Sequence, residues 1–181
     1  MLRASLLLGP PGIIVFVTRT AIPVVAAAAI LTLSSPPARA DEAPACTSDQ
    51  VAISAGQAEA GVGHRAVPLT FSLVDGAAAC TLTGYPKVDS GAGGPLIHAK
   101  PTLRGYLGGL PPGIDTPPTV TLTATQQAQA IVEGMAIDGG GNPCPSYTDL
   151  LVTLPDSTGA ITVPTGIDVC QLQVHPVTDA P

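Results

Sequence analysis

The chain has 181 residues, 45% of them hydrophobic and 11% charged, and a net charge of −6. The first forty residues hold three Arg and no acid, so the other 141 carry four basic against thirteen acidic side chains, net −9. Arg65, Lys87, Lys100 and Arg104 are too few to neutralise a phosphate backbone, which argues against nucleic-acid binding, and the acidic excess argues against docking on an anionic membrane surface.

Residues 21–33 form an apolar run preceded by Arg19 and followed by Ser34, Pro36 and Pro37, ending in Ala38-Arg39-Ala40. This is the small-x-small pattern that a signal peptidase reads, and it predicts a signal peptide over residues 1–40 cleaved after Ala40. The run is shorter than the ~18 apolar residues of a bilayer span, so no transmembrane segment is expected in the mature chain. A second apolar stretch, residues 6–17, is broken by Pro10-Pro11-Gly12, and initiation at Val17 would make residues 1–16 an artefact of start-site assignment. Ala43-Pro44-Ala45 before Cys46 is a poor lipidation signal, and a released or envelope-associated protein is the expected form.

Cys46, Cys80, Cys144 and Cys170 all lie in the exported part, where oxidising conditions favour disulfides. Sequence order suggests Cys46 with Cys80 and Cys144 with Cys170, among three possible connectivities. No two cysteines have the two-to-four-residue spacing of a closed zinc site.

Along the exported chain the apolar residues alternate with period two, and no helical stripe persists. Val67, Leu69, Phe71 and Leu73 alternate with Pro68, Thr70 and Ser72. Further strands are expected at 51–54, 80–83, 95–99, 120–124, 129–135, 150–154, 161–163 and 169–174. Breakers fall between them at Asp75-Gly76 and at 90–94, 111–118, 138–143 and 156–159. Eight or nine short strands in one domain, residues 46–177, predict an all-β, immunoglobulin-like antiparallel sandwich with two disulfides, with residues 178–181 a flexible tail. Residues 108–118, rich in Pro and Gly, read as a mobile loop.

The candidates for chemistry are weak. Asp89-Ser90-Gly91-Ala92-Gly93-Gly94-Pro95 partly imitates the loop around a serine nucleophile, with His64 or His98 as the only bases on offer, and a glycine-rich turn explains the same letters. His64, His98 and His175 are too scattered for a metal motif. Asp138-Gly139-Gly140-Gly141-Asn142 offers too few oxygens for calcium, and no glycine-rich stretch continues into a phosphate-binding loop. No cofactor or metal is expected, and the chain reads as a non-enzyme. Tyr85, between Gly84 and Pro86, is expected to be buried with its hydroxyl bonded to backbone. Residues 104–118, with Arg104, Tyr106, Leu107, Leu110 and Ile114 among prolines and glycines, are the better candidate for an exposed partner-contact loop.

Cys46, the run Gly61-Val62-Gly63-His64-Arg65 leading into Leu69-Thr70-Phe71, the segment Cys80-Thr81-Leu82-Thr83-Gly84-Tyr85-Pro86, the strand at 150–155 and the late cysteines closing on Val174-His175-Pro176-Val177 resemble the actinobacterial secreted family known as domain of unknown function 4232. The resemblance covers nearly all of residues 46–177. It departs at Ser72-Leu73-Val74-Asp75, where members often carry an Asn, and at Thr123-Ala124-Thr125-Gln126, where they carry Pro-Gly. It implies an exported or cell-envelope sandwich domain with two disulfides and supplies no catalytic residues. The function expected is an exported binding module for an extracellular or envelope protein or a small molecule; a structural envelope protein without a discrete site is the alternative, and a hydrolase built on Ser90 a more distant one.

Overall fold

The computed structural model describes residues 42–181. The expected signal peptide, its cleavage after Ala40 and the alternative start at Val17 lie outside the described residues.

The domain is all-β, with twelve strands in three sheets. The largest sheet is built on two long central strands, β3 (His64–Leu73) and β8 (Ala128–Met135), paired antiparallel from His64↔Met135 to Phe71↔Ala128. β1 (Val51–Ala55) and β2 (Glu59–Gly61) flank β3 one after the other. On the far side, β11 (Gln173–Val174) and β12 (Thr178–Asp179) pair with β8, and β6 (Lys100–Pro101) lies parallel to β11. β4 (Cys80–Thr83) and β7 (Thr119–Leu122) make a two-stranded sheet. β5 (Lys87–Ser90), β9 (Ser146–Thr153) and β10 (Ala160–Asp168) make the third, with β9 in the middle.

All three sheets contribute to one core. Val67, Leu69 and Phe71 from β3 meet Leu82, Val120 and Leu122 from the two-stranded sheet, and Val88, Leu150, Val152 and Val163 from the third. Alternation along β3 sends these three side chains inward and Pro68 and Thr70 to the opposite face. With two Phe in the whole sequence and no Trp, the core is aliphatic, and Phe71 and Tyr147 are its largest side chains.

Pro68 stands in a central strand, where a missing N–H would normally break a ladder. Its backbone faces the gap between the end of β1 at Ala55 and the start of β2 at Glu59, so no strand partner loses a bond there. Gly56 fills that gap, giving its N–H to Pro68 O at 2.8 Å. A Cβ on Gly56 would stand 2.7 Å from Pro68 Cγ, so the ring and the glycine fit only together.

The strand count differs from the eight or nine expected in two sheets. β2, β5, β6 and β12 were not anticipated, because two to four residues hold too few apolar positions to show a period. Residues 95–99 form no strand; they run beside β5 with the single bridge Asp89↔His98, and Ser90 Oγ bonds to Ile97 N and Pro95 O. Only the last two residues of 169–174 are strand. Thr178 and Asp179, expected in a flexible tail, pair with Gln129 and Ala128.

The disulfides are Cys46–Cys80 and Cys144–Cys170, as sequence order suggests. The first fastens the segment before β1 to β4, alongside the bridge Ala45↔Thr81. The second joins the segment entering β9 to the one leaving β10.

Candidate functional site

The partner-contact loop expected from sequence lies on the outer face of the large sheet, and it is tied down. Its first part is a miniature hairpin: Leu110 N bonds to Leu103 O at 2.8 Å, Gly105 N to Gly108 O at 2.8 Å, and Arg104 bridges to Gly109. Tyr106 and Leu107 sit at the tip, and a tight turn leaves their N–H groups pointing down with no backbone partner. Glu133, on the outward face of β8, receives both: Tyr106 N donates to Oε1 at 2.9 Å and Leu107 N to Oε2 at 2.7 Å.

Glu133 is 1% exposed, and so is His175 beside it, with Nε2 3.5 Å from Glu133 Oε2. His175 Nδ1 lies 2.8 Å from Thr102 O. A carbonyl only accepts, so Nδ1 carries the hydrogen there. Nε2 faces the carboxylate without a hydrogen-bond partner of its own. Together they fasten the start of the loop through Thr102 and its tip through Glu133. Gly105 and Gly108 let the backbone lie flat: a Cβ on Gly105 would strike Glu133 Oε1, and one on Gly108 would stand 2.8 Å from His175 Cδ2.

The second part of the loop is held by Arg104. Its guanidinium donates to Pro111 O, to Ile114 O at 2.6 Å and to Asp115 Oδ1 at 2.8 Å. The segment expected to be mobile is therefore cross-braced at both ends. Arg104 is half-buried and works as a brace, and Leu110 is buried in the structure rather than offered to a partner.

What the brace leaves outward is Tyr106, 57% exposed, and Ile114, 48% exposed. The Tyr106 ring stacks on His64, centroids 4.5 Å apart at an interplanar angle of 16°. Leu107 packs toward Gly61, and the β2–β3 turn beside it projects Val62, at 82% the most exposed large apolar side chain among the described residues. Val62 has φ 43°, a left-handed conformation costly for a β-branched residue. Leu107, Gly108 and Ile131 help to line a cleft of about 380 Å³, together with Glu59, Gln129 and His175.

A family model described as Domain of unknown function (DUF4232) matches residues 46–178. The chain belongs to that family. No curated protein and no solved structure matches it.

The other sequence candidates of this DUF4232 domain have local structural roles. Ser90 is 1% exposed, and its Oγ accepts Ile97 N–H at 2.8 Å and donates to Pro95 O. Alternation along β5 sends Ser90 inward and Asp89 outward, where Asp89 holds His98 Nδ1 at 2.6 Å, so the structure does not bring Ser90 together with that Asp–His pair. The glycines that follow are there for close approach: Gly91 and Gly93 lie directly on the β9 backbone, and Asp149 Oδ1 takes Ala92 N–H at 2.7 Å. Asp138 turns its own loop, accepting from Gly140 N, Asn142 N and Asn142 Nδ2. The Asn142 side chain, then the Asn142 and Gly140 amides, hold its carboxyl below the usual carboxylate range.

Tyr85 is half-buried; the buried tyrosine is Tyr147, which donates its hydroxyl to Pro95 O at 2.7 Å. His64, His98 and His175 stay apart in separate settings. Among the described residues no group of three His, Cys, Asp or Glu side chains is placed to hold a metal ion, and no helix is long and apolar enough to cross a membrane. Glu133 and His175 as a clamp were missed in the sequence. The available signal was a Glu inside the otherwise apolar or small run Ala130-Ile131-Val132-Glu133-Gly134-Met135.

Proposed function

We propose that this domain is an exported, non-enzymatic binding module, built as an immunoglobulin-like sandwich scaffold, that contacts an extracellular or envelope protein through the loop bearing Tyr106 and Ile114. The observation that carries the reading is the Glu133 carboxylate, buried beneath the loop on the outer face of the large sheet and spending both oxygens on the amides of Tyr106 and Leu107. Burying a carboxylate costs several kcal/mol before its bonds are counted. That cost fixes one loop geometry and sets an aromatic ring outward on a histidine, and a pre-ordered aromatic contact loses little entropy on binding. Tyr is also among the side chains that dominate interface energies. The Ser90 hydroxyl, engaged with its own loop, adds no support for the hydrolase alternative. The structural envelope reading draws on the two disulfides, which would serve any exported domain.

The test is a photo-crosslinking amino acid placed at position 106 in the producing cell, with position 158 as the exposed control. A discrete protein adduct at 106 that is missing at 158 is expected. Identical adduct patterns at both positions, in protein that folds normally, would overturn the reading.

A further inference from the structure

A second cleft, of about 440 Å³, opens where the start of β3 meets the start of β9 and the end of β10. Its walls bring together Arg65, Asp168, Ser146 and the apolar surface of Ala136, Ile137 and Pro143. Arg65 occupies the side of β3 that carries Val67, Leu69 and Phe71, a register in which the strand otherwise places core residues. Its guanidinium makes one hydrogen bond, from Nη1 to the neighbouring His64 O at 3.1 Å, and has no carboxylate within ion-pair reach among the described residues. Asp168 accepts Ser146 Oγ–H at 2.5 Å on Oδ1 and forms no ion pair either. Lys87 and Arg104, by contrast, are each paired with an aspartate.

We propose that this cleft binds a free α-amino acid with an apolar side chain. The ligand carboxylate pairs with the Arg65 guanidinium, whose flat fork of donors matches two carboxylate oxygens. The ammonium pairs with the Asp168 carboxylate, oriented by Ser146. The side chain lies on Ile137, which is 45% exposed, and Pro143. A zwitterion is the class that fits: a dianion would meet Asp168, a cation alone would meet Arg65, and a ligand of zero net charge enters the acidic domain without long-range repulsion. The volume is that of a small-molecule site. The site involves neither Tyr106 nor Glu133, so it stands or falls separately from the protein-binding role of the loop.

Three probes titrated into the ¹⁵N-labelled domain test it: L-leucine, N-acetyl-L-leucine, which lacks the ammonium, and L-leucinamide, which lacks the carboxylate. L-leucine is expected to shift the amides of Arg65, Ala136, Ile137 and Asp168 saturably, and each of the others to bind at least about tenfold more weakly, a loss of ~1.4 kcal/mol or more for a missing charge. Arg65→Gln is expected to weaken L-leucine by a similar factor without weakening L-leucinamide, which loses a like charge; Asp168→Asn is expected to weaken L-leucine without weakening N-acetyl-L-leucine, for the same reason. No saturable shift with L-leucine on the wild-type domain would overturn the proposal. So would equal binding of all three probes, which the wild type reports even if a variant fails to fold.

Discussion

At Glu133 a single carboxylate decides the shape of a loop. Removing it in Glu133→Ala leaves the amides of Tyr106 and Leu107 without their partner in a site 1% exposed. Each buried donor left unsatisfied costs about 1–3 kcal/mol. Denaturant unfolding should report that loss, and hydrogen exchange should show the two tip amides opening while those of β3 stay protected. Val62 is the opposite case, because its φ of 43° is held at an 82% exposed turn where no packing explains it. Val62→Asn should raise stability by about 1 kcal/mol, since Asn tolerates that conformation. If the turn belongs to the contact face, the same variant should weaken partner binding, and a thermal melt beside a binding assay separates the two effects. Asp138 makes a prediction in pH. Its folded carboxyl titrates below the ordinary 3.8, so its bonds add stability above that value and lose it as pH falls through the lowered one. An NMR titration should place its midpoint below 3.8, and Asp138→Ala should remove that part of the acid dependence.

Among the elements, β3 and β8 were the most legible, because each shows a buried face over eight residues or more. β5 was not, since Lys87-Val88-Asp89-Ser90 offers one large apolar residue, and its inward partner is a serine whose hydroxyl is satisfied within its own loop. The stretch 95–99 differs for the converse reason: Leu96 and Ile97 are apolar, yet Leu96 is 62% exposed, and although Ile97 and Ala99 pack against the core the segment pairs with β5 at one bridge and no further. The exposure of Tyr106 and Ile114 agrees with the loop's letters, whereas Leu110 is buried. The clamp beneath it could not be read in the sequence, because Thr102, Glu133 and His175 meet only after β8 and β11 are in register. Pro68 and Gly56 show how one element depends on another's ending. Gly56→Ala would press a methyl onto the Pro68 ring at 2.7 Å, and such overpacking costs about 1–3 kcal/mol. Pro68→Ala in the same chain should recover most of that loss, and a double-mutant cycle in urea measures the coupling.

Across the whole molecule, the two disulfides secure different parts of the one core. Cys46–Cys80 spans 34 residues of sequence and Cys144–Cys170 spans 26. In the chain-entropy account stabilisation rises only with the logarithm of loop length, so each bond should contribute about 3–4 kcal/mol, with a difference of a few tenths between them. The folded surroundings are less alike. Cys80 is 0% exposed and Cys46 4%, and both belong to the core cluster, whereas Cys170 is half-buried at the rim. Replacing Cys46 and Cys80 with Ser puts two hydroxyls into apolar surroundings, which costs about 1–3 kcal/mol for each one left unpaired. The Cys46→Ser, Cys80→Ser double variant should therefore be the less stable of the two by clearly more than loop length allows. Equal unfolding midpoints for the two double variants would mean that the constraint on the unfolded chain, and not the packing of the sulfurs, sets what each bond is worth.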